Sequence, residues 1–370
     1  MKRLPAIQRV YVERSVRDTE MTRRVLGRLD DQRPDVEEVT DGREVARAYS
    51  AEPREQARGK HALLLSGFRG EAIKPCPGTL NYRCCQYQIL NFGQGCPLDC
   101  SYCILQGYFS NPLLTVQADV ETFLSAAGEI LKADTGKKWR LGTGEFADSL
   151  ALDPLTDYAA ILVRWIRDYP NAILELKSKA DHVEGILDLD HQRSTICAWS
   201  VNAPEICRGE EFGVATLDER LDAARRCQEA GYPLAFHFDP IFHFEGWEAG
   251  YRETIRRIFA VARPDNIRWI SLGCFRHMPG LEDTIRRRFP KSIAPYGEFI
   301  RGGDAKRRYP QPLRVAIYKK MLAWIREAGG EGVRVYFCME NPKVWREVFG
   351  YAPEDNAELG RWLDAEAFKS

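Results

Sequence analysis

The residues with the clearest chemical potential are three cysteines in one short loop, Gly95-Cys96-Pro97-Leu98-Asp99-Cys100-Ser101-Tyr102-Cys103, spaced C-x3-C-x2-C. Three thiolates this close can each take one corner of a [4Fe-4S] cube and leave the fourth iron without a protein ligand. A fully ligated cluster only passes electrons, whereas an open iron binds a further molecule, as a three-ligand zinc site keeps a position for water. A zinc knuckle is the alternative for closely spaced cysteines, but it needs a fourth ligand, and no His or Cys occurs in the dozen residues after Cys103.

Other cysteines invite the same question. Cys76, Cys84, Cys85 and Cys338 would form a second metal site only if the fold gathered them, and adjacent Cys84 and Cys85 would point apart on a strand. Cys274 falls near the end of a predicted strand, where it is a candidate thiol hydrogen donor; a small buried hydrophobe is the plain reading. His237 and Asp239 alternate with Phe236 and Phe238, so both are expected on one face, holding a polar substrate or cofactor edge or each other.

These groups need a frame. From Tyr87 onward short β-type runs alternate with amphipathic helical runs, the pattern of repeated βα units on a parallel sheet. Six strands are predicted, at 87–93, 139–146, 172–179, 196–202, 233–242 and 267–275. Helical patterns at 120–133, 157–169, 217–230 and 247–263 lie between them, and a long helix (312–329) and a closing strand (333–339) follow. The expected fold is α/β: a partial (β/α)6 TIM-type barrel over residues 87–370, with ligands at the C-terminal strand ends, a small N-terminal α/β lobe over residues 1–86, and a C-terminal β-hairpin and helix. The hairpin is expected over 298–309, with a Gly302-Gly303-Asp304 tip and a basic returning arm.

Composition limits the alternatives. The 370 residues carry 53 Lys plus Arg and 53 Asp plus Glu, so no global field draws the chain onto nucleic acid or anionic lipid, and polyanion contact must come from local clusters. No signal-peptide core or spanning apolar stretch is found, which implies a cytoplasmic protein with no membrane contact and no disulfide framework for its 11 cysteines.

At the cysteine loop the chain resembles the radical S-adenosylmethionine superfamily, and over most of its length it resembles the spore photoproduct lyase family. The narrower match rests on Tyr102 and Leu105-Gln106, Lys179-Ala180-Asp181-His182-Val183, Ser200-Val201-Asn202, Pro240-Ile241 with His243, Glu245-Gly246-Trp247-Glu248 and Gly250-Tyr251. The resemblance implies a [4Fe-4S] cluster on Cys96, Cys100 and Cys103 that binds S-adenosylmethionine and yields a 5′-deoxyadenosyl radical. That radical abstracts hydrogen from a methyl-linked thymine dimer, whose carbon–carbon bond then splits. It also implies cofactor contacts from Lys179, Ser200 and Tyr102, with Tyr102 additionally a candidate at the catalytic centre, a duplex DNA substrate, and a reducing partner such as flavodoxin or ferredoxin.

Two positions depart from the family. Glu145 stands where members carry the cysteine that returns a hydrogen atom, and Ile104 replaces the second loop tyrosine, so the hydrogen-return route differs and Cys274 becomes the substitute donor. Gly142-Thr143-Gly144-Glu145 is similar instead to the glycine-rich GGE segment that related enzymes place near the methionyl amine; glycine allows close backbone approach and Glu145 adds charge. Asp239 joins this set as a cofactor contact. Arg301, Lys306, Arg307 and Arg308 of the hairpin are the candidate nucleic-acid contacts. A radical enzyme acting on a small molecule or protein, and a non-catalytic iron–sulfur DNA-binding or redox module, are the remaining readings.

Overall fold

The computed structural model describes residues 5–49, 53–79 and 81–369. Its larger sheet has eight strands in the order Val335–Phe337, Ile267–Cys274, Leu234–Ile241, Thr195–Ser200, Ala172–Ser178, Trp139–Gly142, Gln88–Leu90 and Ile73–Pro75. The first seven run parallel, and only Ile73–Pro75 is antiparallel to its neighbour. All six predicted barrel strands and the closing strand are present, curled into an open partial barrel. These segments form strands because β-branched, aromatic and leucine side chains fill both faces: every residue of Ile267–Cys274 is buried, as expected of a parallel strand covered on both sides.

Helices complete the βα units. Val120–Ala133 is capped by Asp119, and Leu217–Glu229 starts at a capping box in which Thr216 and Glu219 satisfy each other's backbone N–H groups. The long helix Gln311–Gly329 packs on Trp247–Val261. Asn356–Ala367 is tied to the sheet by the ion pair of Asp364 with the buried Arg140, at 2.7 Å.

A second sheet of five strands has the order Asp35–Val39, Arg9–Glu13, Ala62–Ser66, Leu114–Gln117 and Gly93–Gln94. The two sheets exchange strands across residue 86: Ile73–Pro75 joins the larger one, while Gly93–Gln94 and Leu114–Gln117 join the smaller. The cysteine loop therefore leaves the smaller sheet after Gly93–Gln94 and returns to the same sheet at Leu114–Gln117. The expected hairpin forms from Ile300–Arg301 and Arg307–Arg308, and a third short strand, Arg276–His277, pairs with its returning arm. No helix among the described residues is long and apolar enough to cross a membrane.

Candidate active site

The C-terminal ends of the parallel strands open into a cavity of about 470 Å³. Cys96, Cys100 and Cys103 line it together with Tyr102, Gly144, Glu145, Lys177, Lys179, Ser200, His237, Asp239, Arg276, Lys306 and Cys338. The loop that carries the three thiols is fixed mainly through its backbone carbonyls. Lys60 Nζ donates to Cys96 O at 2.9 Å, and Gln106 Nε2 donates to Ser101 O at 2.7 Å and Cys100 O at 3.2 Å. Arg288 forks onto both oxygens of Asp99 at 3.0 Å and donates to Gln106 as well. Cys100 and Asp99 pair with Glu211 and Phe212 in a short antiparallel ladder. Three soft sulfur donors on a braced loop, open to a cavity on one side, fit an iron–sulfur cluster.

Tyr102 is buried beside this loop, and its phenol donates to Glu211, which also accepts from Arg220 at 2.5 Å. Both members of the Glu211–Arg220 pair are fully buried. Burial alone would raise the Glu211 carboxyl, but Arg220 and Lys179 hold it down at about 2. Lys179 Nζ lies 5.6 Å from the Tyr102 ring centre. Its own backbone N–H donates to Asp148 at 2.8 Å, so the strand end presenting it is pinned. Ser200 ends the next strand, where its carbonyl accepts from Arg220 at 3.0 Å.

The glycine-rich segment divides. Gly144 lies at the cavity, and a Cβ there would stand 2.8 Å from the Lys177 carbonyl, so only glycine allows this approach. Gly142 does not line the cavity: a Cβ on it would fall 1.3 Å from Tyr87 Oη, so this glycine makes room for a buried ring rather than for a cofactor. Glu145 is ion-paired with Lys177.

His237 and Asp239 share the cavity face, as their alternation implies, but the protein supplies their partners. His237 Nδ1 is 2.7 Å from Ser271 Oγ and its Nε2 is 2.8 Å from Glu175 Oε1, which also accepts from Trp269 Nε1 at 3.1 Å. Both Asp239 oxygens accept from Arg276, at 3.0 and 3.2 Å. Burial pushes the Asp239 carboxyl up and Arg276 outweighs it, leaving it below the usual carboxylate range.

Two further expectations are corrected. Cys274 is buried away from the cavity, against the helix Gln311–Gly329, where its backbone N–H donates to Tyr318 Oη at 2.8 Å. The alternation of its strand explains this: Ser271 and Gly273 face the cavity side, and Cys274 points the other way with Ile270 and Leu272. In the hairpin, Arg308 is 3 % exposed and bound to Asp304 and Tyr82, and Lys306 turns inward to Thr79 Oγ1 at 3.0 Å. Only Arg301 and Arg307 of the four face solvent, with Arg307 3.2 Å from Glu282. Sequence reasoning missed Lys177, although Glu175, Lys177 and Lys179 repeat at period two along and just beyond one strand; Arg276 carried no comparable signal.

The family model for spore photoproduct lyase matches residues 6–302. The chain belongs to the spore photoproduct lyase family. It is accordingly an enzyme of the radical S-adenosylmethionine lyase type. Among its curated relatives is the spore photoproduct lyase of Bacillus subtilis (strain 168), 27 % identical over 310 residues, covering 82 % of this chain and 86 % of that one. The spore photoproduct lyase of Geobacillus sp. (strain Y412MC61) is 27 % identical over 218 residues, covering 58 % and 62 %. A solved spore photoproduct lyase with bound AdoMet and dinucleoside spore photoproduct superposes with a TM-score of 0.80 at 22 % identity, covering 90 % of this chain and 98 % of that one, a likeness of fold.

Proposed function

We propose that this chain is a DNA-repair lyase that acts on a methyl-linked pyrimidine dimer in duplex DNA. The observation carrying this reading is that one cavity at the strand ends takes in Cys96, Cys100 and Cys103 together with Gly144, Lys179 and Ser200. A [4Fe-4S] cluster with S-adenosylmethionine, bound there, supplies a carbon-centred radical able to abstract hydrogen from the substrate. The three thiolates hold the cluster, and the Lys179 ammonium is suited to the cofactor carboxylate by a charge-assisted hydrogen bond. The Gly144 backbone allows close approach of the methionyl end. Electrons come from a flavodoxin or ferredoxin.

Glu175 and His237, and Asp239 and Arg276, are already paired within the protein, so these lining groups are held in place before any cofactor binds. Hydrogen return does not use Cys274, because its thiol lies behind the strand. Relatives solved with a dinucleoside spore photoproduct support the class of substrate.

The test is product analysis by mass after anaerobic reduction with S-adenosylmethionine and a lesion-bearing duplex. Restored thymines accompanied by 5′-deoxyadenosine are expected, with the same product distribution from the Cys274→Ala variant. 5′-Deoxyadenosine formed over an unaltered lesion would favour a small-molecule or protein substrate instead.

A further inference from the structure

On the cavity wall formed with the closing strand and the chain before Tyr87 stands a second group of thiols, Cys76, Cys84, Cys85 and Cys338, all free and all lining the same space. They come from three separate stretches of chain, and the backbone draws these together. Cys76 N donates to Tyr87 O at 2.9 Å, Arg83 N to Glu340 O at 2.8 Å, and Cys338 N to Leu272 O at 3.0 Å. Cys84 N is held by Asn356 Oδ1 at 2.9 Å. Residues 84–87 lie outside any strand, and Gln86 takes φ 57°, so adjacent Cys84 and Cys85 are released from the alternation that would turn their side chains apart. The Cys84 thiol interacts with those of both Cys76 and Cys85.

The surroundings differ from those of an inert buried cysteine. Cys197 and Cys227 sit in the apolar core at 2 % and 0 % exposure. The cavity set instead has cations beside it, two of them also paired with Asp364 and Asp239. Arg140 donates to the Cys85 carbonyl, Arg276 Nη2 lies 3.4 Å from Cys338 Sγ, and Lys306 Nζ is 3.5 Å from Sδ of Met339, the residue after Cys338. Four thiolates around a metal group carry negative charge, and buried charge needs such partners.

Among the described residues no three His, Cys, Asp or Glu close to the spacing of a single bound ion, in this set or in Cys96, Cys100 and Cys103. A four-iron cube takes one thiolate at each corner, and these four thiols on one cavity wall supply that number. We propose that Cys76, Cys84, Cys85 and Cys338 hold a second, fully ligated [4Fe-4S] cluster facing the first across the cavity. With no open iron, it serves electron transfer to the catalytic cluster rather than cofactor binding.

The inference stands apart from the DNA-lyase reading and is tested by metal content alone. After anaerobic reconstitution, the parent is expected to hold about eight irons and eight sulfides per chain, and the Cys96→Ala/Cys100→Ala/Cys103→Ala variant about four of each. Should that variant fold poorly, Cys84→Ala/Cys338→Ala provides the complementary count, falling from about eight irons to about four. A parent that saturates at about four irons overturns the proposal. So does zinc without sulfide at this set, a disulfide among these four cysteines in the reconstituted protein, or parental iron content in Cys84→Ala/Cys338→Ala.

Discussion

Glu211 is asked to do two things at once: it accepts the Tyr102 phenol and neutralises Arg220, with no solvent near either. Because its backbone also pairs with Cys100, the state of this carboxylate reaches the cluster loop directly. Its folded value of about 2 lies below the ordinary 4.5, so the stabilisation it contributes is complete above about pH 4.5 and is lost as pH falls through about 2. Glu211→Gln should remove that dependence, flattening the stability–pH curve between those limits in chemical denaturation. Leaving Arg220 buried and unpaired should cost on the order of 3–5 kcal/mol at neutral pH. An unchanged acid limb would show that Glu211 is not the group responsible. The C-x3-C-x2-C spacing was legible from sequence because its ligands are neighbours in the chain, whereas the Glu211–Tyr102 link was not, since 109 residues separate the partners.

Among the elements, the parallel strands were legible because short β-type runs rich in Ala, Ile, Leu and Phe stand between amphipathic helical patterns, as in Ala172–Ser178 and Leu234–Ile241. Asp35–Val39 was not, because this edge strand of Asp, Val and Glu is largely exposed and reads as a charged loop. Facing was the harder property: a strand-end position places a residue at the rim, but parity decides the side, and parity sends Cys274 to the helix layer. The hairpin obeys the same rule, with Lys306 and Arg308 turned in and Arg307 out. If the hairpin contacts duplex DNA as proposed, that contact falls to the outward pair. Arg301→Ala/Arg307→Ala should weaken binding and reduce the slope of log affinity against log salt by up to about 2. Lys306→Ala should leave that slope at its parental value. An equal loss of slope from Lys306→Ala would contradict this assignment in a binding titration across salt concentrations.

At the scale of the whole molecule, an open barrel of seven parallel strands sets its C-terminal ends around one cavity, and a smaller sheet grips the cysteine loop from the other side. The loop is thus braced by Lys60 from the small lobe and by Arg288 at the end of the helix Leu281–Arg288. Such bracing keeps three thiols poised while leaving the cavity open for a cofactor. The central claim is that these thiols support reductive cleavage of S-adenosylmethionine. It is tested most directly by quantifying 5′-deoxyadenosine after anaerobic reconstitution and reduction, in the parent and in Cys100→Ala. The account predicts 5′-deoxyadenosine from the parent and none above background from the variant; equal amounts from both, or none from a parent shown to hold its cluster, would contradict it.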